Sequence, residues 1–372
     1  MKNLRYVLVV CLCVALLATC FLTVACDAEN TPDAQTTQTV TDTLGREVTV
    51  PTKVDKVVCI GASALRLYCY VGDIDKLCGV EDFEKGNKMP VRPYSYAYKD
   101  DFAALPSCGA GGPGSKANAE AILACKPDVI FSLYDKVDEM DKLQSDTSIP
   151  VVCLSYGGAD PFSAKITQSL TLIGKVMGKE ARATEVNNYI ASVKADLNTR
   201  AATVAEDQKP KVYLGNNTYN GSTAFTRTLL NFAPFRELGA KNVVKSIVGD
   251  STDNNPNLDA EALIQSDPDY IFIDAANVAA FLAEKDTFDQ MTAIDGGKVY
   301  TILPFNQYYT NIEIATATGY YIGKVIYPEA FSDVDVAAKF NEICSTMLGK
   351  EMDYYQKVVQ GVGGVGYQQL VF

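Results

Sequence analysis

Apolar and polar positions divide the chain into two similar halves. A nearly unbroken apolar run covers Tyr6 to Ala25, polar sequence follows from Asp27 to Thr41, and short apolar runs then alternate with helical patterns. Thr39 to Val50 reads as a β-hairpin, with Val40, Val48 and Val50 on extended arms around Leu44-Gly45-Arg46 and Pro51 closing it. Val57 to Ile60 is a buried strand. Gly61 opens a helix through Leu65, Leu67, Tyr68 and Val71, and Lys76 to Val80 returns as the next strand, an order that predicts βαβ units in a parallel sheet. Glu81 to Lys116 has little periodicity, and loops of that length form lids or binding surfaces. After a further strand at Val151 to Leu154, Asp160-Pro161 caps a helical pattern that runs from Pro161 to about Ala205. Ile166, Leu170, Ile173, Val176 and Met177 mark one side of it, Val186, Tyr189, Ile190, Val193 and Leu197 continue the stripe, and Gly174 and Gly178 are its candidate break points. Unbroken, about 35 helical residues extend roughly 50 Å, enough to span two lobes. A second α/β series starts at Lys211 to Leu214, includes a strand at Val299 to Leu303, and ends in a tyrosine-rich helix around Ile314 to Val325.

One unit occurs in both halves. Ala119 to Phe131 reads AEAILACKPDVIF and Ala260 to Phe272 reads AEALIQSDPDYIF. Each copy is a short helical pattern with Glu second (Glu120, Glu261), a stop at Pro127 or Pro268, and an apolar run entered through Asp128 or Asp269. Repetition this far apart implies two similar lobes, not a solenoid. Two such lobes leave a cleft between them.

Composition removes whole classes of function. The net charge of -12 argues against nucleic acid, which needs a basic footprint. There is no histidine, so Ser-His-Asp and Cys-His catalysis, H-E-x-x-H zinc sites and imidazole ligation of haem are excluded. Trp is also absent, and aromatic recognition falls to 21 Tyr and 15 Phe. Gly109 to Lys116 imitates a phosphate loop, but Ser115 precedes Lys116 where the motif needs Lys before the hydroxyl. Ile60-Gly61-Ala62-Ser63-Ala64 imitates a nucleophile elbow and lacks its final glycine.

The N-terminus carries Lys2 and Arg5 before the apolar run, as a secretory signal does. Leu22-Thr23-Val24-Ala25-Cys26 resembles the lipobox of bacterial lipoproteins, with Leu one place further upstream than usual. The alternative is an uncleaved membrane helix, since about twenty apolar residues span a bilayer. Either places the body outside the cytoplasm. A diacylated Cys26 would hold it on the membrane, and Asp27 to Thr41 would serve as tether. Beyond Cys26, the cysteines Cys59, Cys69, Cys78, Cys108, Cys125, Cys153 and Cys344 are odd in number and lack a C-x-x-C pair, a poor disulfide framework. Cys59, Cys125 and Cys153 sit in apolar patterns as small buried hydrophobes.

Four stretches together resemble the siderophore-, haem- and cobalamin-type family of ABC-importer substrate-binding proteins. They are TDTLGREVTVP, VVCIGASALRLYCYVGDIDKLCGVEDF, the two repeat copies, and LPFNQYYTNIEIATATGYYIGKVIYPEAF, covering most of residues 39 to 345. The resemblance implies an α/β protein with two Rossmann-like lobes joined by one long spanning helix and a ligand cleft between them. The expected organisation is a signal peptide over 1–25, lipidated Cys26 and tether over 26–41, an N-terminal lobe over 42–160, the spanning helix over 161–208, and a C-terminal lobe with tail over 209–372.

In that family one exposed Glu per lobe meets arginines on the permease, and the matching residues are Glu120 and Glu261. Ala119, Ile122 and Leu123, like Ala260, Leu263 and Ile264, form a stripe predicted to be buried, which leaves each Glu outside it. A Glu in the first turn of a helix also complements the macrodipole, so both roles stand. Positions after strand ends and in the long loop nominate Ser63, Arg66, Arg92, Tyr94, Tyr96, Tyr134, Tyr156, Asn217, Tyr219, Asn306, Tyr308 and Tyr309 as ligand contacts. Arg92 suits the carboxylate or catecholate oxygens of an anionic ferric chelate, unless a local acid claims it. Without histidine, capture of bare zinc or manganese is not expected. The expected cargo is an iron(III)-siderophore or similar chelate, with a corrinoid or haem as the alternative. The expected partners are a permease and its ATPase, with the receptor a monomer lacking catalysis or a cofactor of its own. An exported chelatase-like enzyme and a surface adhesin are the readings from other classes.

Overall fold

The apolar runs form strands because a parallel sheet covered on both faces removes every side chain of a strand from water. The computed structural model describes residues 36–85, 91–112, 114–158, 160–219, 221–307 and 309–372. The expected signal peptide, Cys26, the tether as far as Gln35, and Tyr308 lie outside the described residues. The chain enters through an antiparallel hairpin, β1 (Thr37–Thr41) and β2 (Glu47–Pro51), which sets Val40 opposite Val48. Composition assigned Thr37 to Thr41 to the tether, but pairing with β2 and burial of Val40 make it a strand. Thr43 Oγ1 donates to the Cys153 carbonyl at 2.9 Å and Arg46 Nε to Asp141 at 2.8 Å, fixing the hairpin to the body.

The first sheet holds β3 (Val57–Ile60), which leads into α1 (Ala64–Val71), then β4 (Leu77–Gly79), then α2 (Ala119–Cys125) leading into β5 (Val129–Ser132), and β6 (Val151–Cys153). Its order is β4-β3-β5-β6 and all its pairings are parallel. The segment after β4 is less irregular than its sequence. Short helices occupy Asp82–Lys85, Pro93–Ala97 and Lys99–Ala104, each too brief to leave a periodic signature.

The expected spanning helix is two helices, α3 (Ala164–Met177) and α4 (Glu180–Ala201). Gly178, at φ +65, ends α3 in a left-handed cap that a residue with a Cβ would resist. Gly174 then lets the two helices approach, since a Cβ there would lie 2.7 Å from the Ala183 Cβ. The cap of α3 is Ser163, whose hydroxyl accepts from Lys165 N–H; Asp160, the expected cap, instead pairs with Arg236. The 22 residues of α4 extend about 33 Å, not 50, and pack on α1 of the first half and on helices of the second, with Arg182 near its start donating to the carbonyls of Tyr70 and Met347.

The second sheet contains β7 (Lys211–Gly215), β8 (Lys241–Asn242), then α5 (Ala260–Ser266) leading into β9 (Tyr270–Asp274), and β10 (Val299–Ile302). After it come α6 (Ile312–Ile326), α7 (Val336–Leu348) and the short antiparallel edge strand β11 (Gln368–Gln369), giving the order β11-β10-β9-β7-β8. The repeated units fold alike, down to their clamps. Asn118 caps α2 and Asp259 caps α5 by accepting from Ala121 and Ala262 N–H at 3.1 and 2.9 Å. Asp128 accepts from Lys56 N–H at 2.8 Å and Asp269 from Lys211 N–H at 2.7 Å, so the Pro-Asp of each copy fixes the start of the neighbouring strand.

One apolar cluster runs from β3 and α1 through α3 and α4 to β10 and α6, so the halves share a core. The chain also doubles back on itself. Tyr98 Oη donates to the Leu348 carbonyl at 2.8 Å, Lys350 Nζ to the Ala97 carbonyl at 2.7 Å, and Tyr96 stacks on Tyr354 with ring centres 4.5 Å apart. Cys59, Cys69, Cys78, Cys108, Cys125, Cys153 and Cys344 are all free thiols. No helix among the described residues is long and apolar enough to cross a membrane.

Candidate functional site

Parallel strands deliver their C-terminal ends to one edge of a sheet, and ligands bind in the crevice outside those ends. A cavity of 330 Å³ lies there in the first half. Gly61 and Ala62 after β3, Leu133, Tyr134 and Asp135 after β5, and Gly112 and Gly114 of the glycine segment line it, and Tyr309 from the loop before α6 closes it from the second half. Tyr309 holds a left-handed backbone, φ 66, and its ring stacks on Tyr156 at 5.2 Å.

Beside this pocket Arg66 ties the halves together. Fully buried on α1, it donates through Nη1 to Ser63 Oγ at 2.8 Å, Tyr156 Oη at 2.9 Å and the Thr310 carbonyl at 3.0 Å. Through Nη2 it reaches the Gln307 carbonyl at 3.2 Å and Asn311 Oδ1 at 2.8 Å. Arg66 thus fixes the loop that carries Tyr309. In the first turn of α6, Glu313 is also fully buried; burial pushes its carboxyl up from the ordinary range and the Arg66 charge pulls it back.

The nominated residues fall into groups. Tyr134 and Tyr309 line the pocket, and Ser63, Arg66 and Tyr156 are bonded to one another next to it. Arg92 lies in the core, paired with Glu84 at 3.0 Å and donating to the Phe83 carbonyl, while Tyr94 donates to Glu84 at 2.8 Å. Tyr96 belongs to the stack on Tyr354. Asn217, buried, and Tyr219, 38% exposed, sit on the segment after β7, and Asn306 Nδ2 reaches the Thr218 carbonyl at 3.5 Å. Sequence reasoning passed over Asp135 and Leu133, although both stand at a strand end beside the nominated Tyr134.

On the outer surface, Glu120 and Glu261 occupy equivalent exposed positions in the first turns of α2 and α5. The caps are Asn118 and Asp259, and neither Glu has an ion-pair partner among the described residues. Ile122 and Leu263 are buried as expected. Leu123 is 43% exposed, because the short α2 turns only Ile122 fully into the core.

Two acids at strand ends stand apart in their protonation. Burial pushes Glu81, after β4, up to about 7, with Glu84 adding and the Gly61 N–H opposing. Burial likewise pushes Asp274, at the end of β9, up to about 7, against the Ala276 N–H. With its folded value raised, Asp274 contributes stability that is full below the unfolded value near pH 3.8 and is lost as pH rises through 7. Asp274→Asn is therefore expected to be the more stable protein at pH 8 by on the order of 3 kcal/mol, and to lose that advantage near pH 4. Urea denaturation of both proteins at the two pH values measures it; equal midpoints at pH 8 would exclude a buried charge at this position.

A pocket at strand ends, closed from the opposite half, defines a two-lobed α/β solute-binding protein. Residues 57–304 match the periplasmic binding protein family, and the chain belongs to it. Membership implies an extracytoplasmic location. The chain is 24% identical over 351 residues to the molybdate-binding protein MolA of Haemophilus influenzae, covering 86% of this chain and 90% of that one. It is 22% identical to the ABC transporter substrate-binding lipoprotein YvrC of Bacillus subtilis, covering 79% and 87%. Among solved structures, a periplasmic solute binding protein of Veillonella parvula superposes with a TM-score of 0.65 at 17% identity, over 88% of this chain and 97% of that one. These relatives are binding proteins, not enzymes.

Proposed function

We propose that the protein is the cargo-capturing component of an ABC importer and that its cargo is a neutral or positively charged metal chelate, such as a ferric hydroxamate siderophore. One observation carries the choice of charge: among the described residues, Asp135 is the charged side chain lining the pocket, while Arg66 and Arg92 are engaged within the protein. An anionic ferric chelate, the cargo for which Arg92 was nominated, would meet like charge there. The organic shell of a chelate satisfies its own metal and needs from the protein only aromatic faces and scattered donors, which Tyr134 and Tyr309 supply. The volume, 330 Å³, is at the lower end for small-molecule sites and favours a compact ligand. Lipidation of Cys26 belongs to the same proposal and is supported by the lipoprotein description of the Bacillus subtilis relative.

A molybdate-type oxyanion is the second reading, favoured by the likeness to MolA over 86% of the chain. Titration of residues 27–372 with a monocationic ferric hydroxamate, haem, cobalamin and molybdate, followed by tyrosine fluorescence, separates the two. Saturable binding of the hydroxamate at about micromolar concentration or below is expected, with no response to molybdate. Binding of molybdate alone would replace the chelate reading with the oxyanion one.

A further inference from the structure

The glycine cluster that imitates a phosphate loop has a structural partner, and that partner is an acid. Glu81 is 3% exposed, and its Oε1 accepts from the Gly61 N–H at 3.1 Å. Gly111, at φ +67, lies against its other side: a Cβ there would stand 2.5 Å from the Glu81 Cβ and 2.7 Å from its Oε2. The next two backbone N–H groups, of Asp82 and Phe83, donate to the carbonyls of Gly109 and Ala110 at 2.8 and 3.1 Å. The glycine segment therefore wraps Glu81. Its carboxyl bonds the turn after β3 and its side chain packs against the glycine segment, and both pieces contribute pocket lining, Gly61 on one side and Gly112 on the other.

We infer that Glu81 is a positioning residue for cargo capture, which holds the turn after β3 and the glycine segment together as one wall of the pocket and loosens that wall when it carries charge. The physical reason is burial: a carboxylate withdrawn from water is costly, its one hydrogen bond from Gly61 N–H offsets only part of that cost, and opening the wall lets water reach the charge. Its elevated titration, up to about 7, places the change within the ordinary range of an extracytoplasmic medium. The titratable groups around it are Glu84, which raises it, and Tyr134, Cys108 and Cys59, each raised in turn by the Glu81 charge; Arg92 answers Glu84. Of these, only Glu81 itself bonds the pocket turn. The role rests on the pocket being the capture site, as proposed above.

Hydrogen exchange of the full chain without cargo, read by mass spectrometry and corrected for intrinsic chemistry, tests it. In the native sequence, protection of peptides covering Gly61 to Ser63 and Gly109 to Gly112 is expected to fall roughly fivefold between about pH 6 and pH 8. Glu81→Gln keeps an acceptor for Gly61 and is expected to keep protection at both pH values, losing that fall. Glu81→Ala is expected to lose at least tenfold in both segments and little in peptides covering β9. A pH-dependent fall that survives in Glu81→Gln, or a loss in Glu81→Ala spread evenly over the whole chain, would overturn the inference. Because no cargo is present, the outcome is independent of the chelate titration, and each can fail without the other.

Discussion

Reversing the charge of both Glu120 and Glu261 to Arg is expected to abolish cargo uptake in cells and to leave cargo affinity within about twofold. The two residues lie outside the pocket, at matched positions of the repeated unit, and their helices are capped by Asn118 and Asp259. Losing a favourable macrodipole interaction costs each helix only about 0.3–1 kcal/mol, so the fold survives. The family resemblance places permease arginines opposite these acids. Like charges set against each other across an interface cost several kcal/mol, which is a hundredfold or more in docking. Uptake of labelled cargo by cells, measured beside equilibrium binding to the purified variant, separates docking from capture. Normal uptake by the double variant would remove both residues from the permease surface.

Arg66→Met is expected to destabilise the protein by about 3–5 kcal/mol, since it removes a buried charge and leaves the acceptors of five hydrogen bonds without that donor. Its hydrogen bonds run from α1 of the first half to Gln307, Thr310 and Asn311 of the second. Without them the Tyr309 loop loses its anchor, and Glu313 keeps a buried carboxyl with the compensating charge gone. Glu313→Gln on top of Arg66→Met is expected to recover at least half of the loss, since two neutral groups bury more cheaply than one unpaired charge. Urea denaturation midpoints of the three variants measure this. A loss below about 1 kcal/mol in Arg66→Met would mean that the halves do not depend on this residue.

The strands and the repeat were legible because both are local. Four consecutive apolar residues at Val57 to Ile60 have little choice but a buried strand, and the cap, stop and Asp clamp of α2 and α5 are written within one short stretch each. The break at Gly178 was visible as a candidate; what decided it was α3 folding back on α4 through Gly174 and Ala183, a contact between turns that no single periodicity encodes. The partners of the arginines were hidden for a similar reason. Arg66 and Arg92 read as donors awaiting a ligand, yet their partners, Asn311 and Glu84, are chosen by tertiary packing. Glu81 escaped notice because an acid at the edge of a glycine-rich segment looks like solvated loop. Its place directly after β4 was the available signal, the same rule that selected Tyr134 after β5.

The doubling back of the chain bears on how the protein emerges from export. Tyr98 meets the carbonyl of a residue 250 positions later, and Tyr96 meets Tyr354. A polypeptide delivered across the membrane N-terminus first presents Pro93–Ala97 long before its cover arrives, and segments waiting with exposed apolar surface are where proteases and holdases act. The parallel strands of both sheets can be paired by the time Ile302 has passed, but the first half is sealed only when Leu348 to Tyr354 follow, and the edge strand β11 comes later still. The last quarter of the chain thus completes the first half as well as the second: without it the parallel strands remain, but Tyr96 has lost its stacking partner and Tyr98 its carbonyl acceptor.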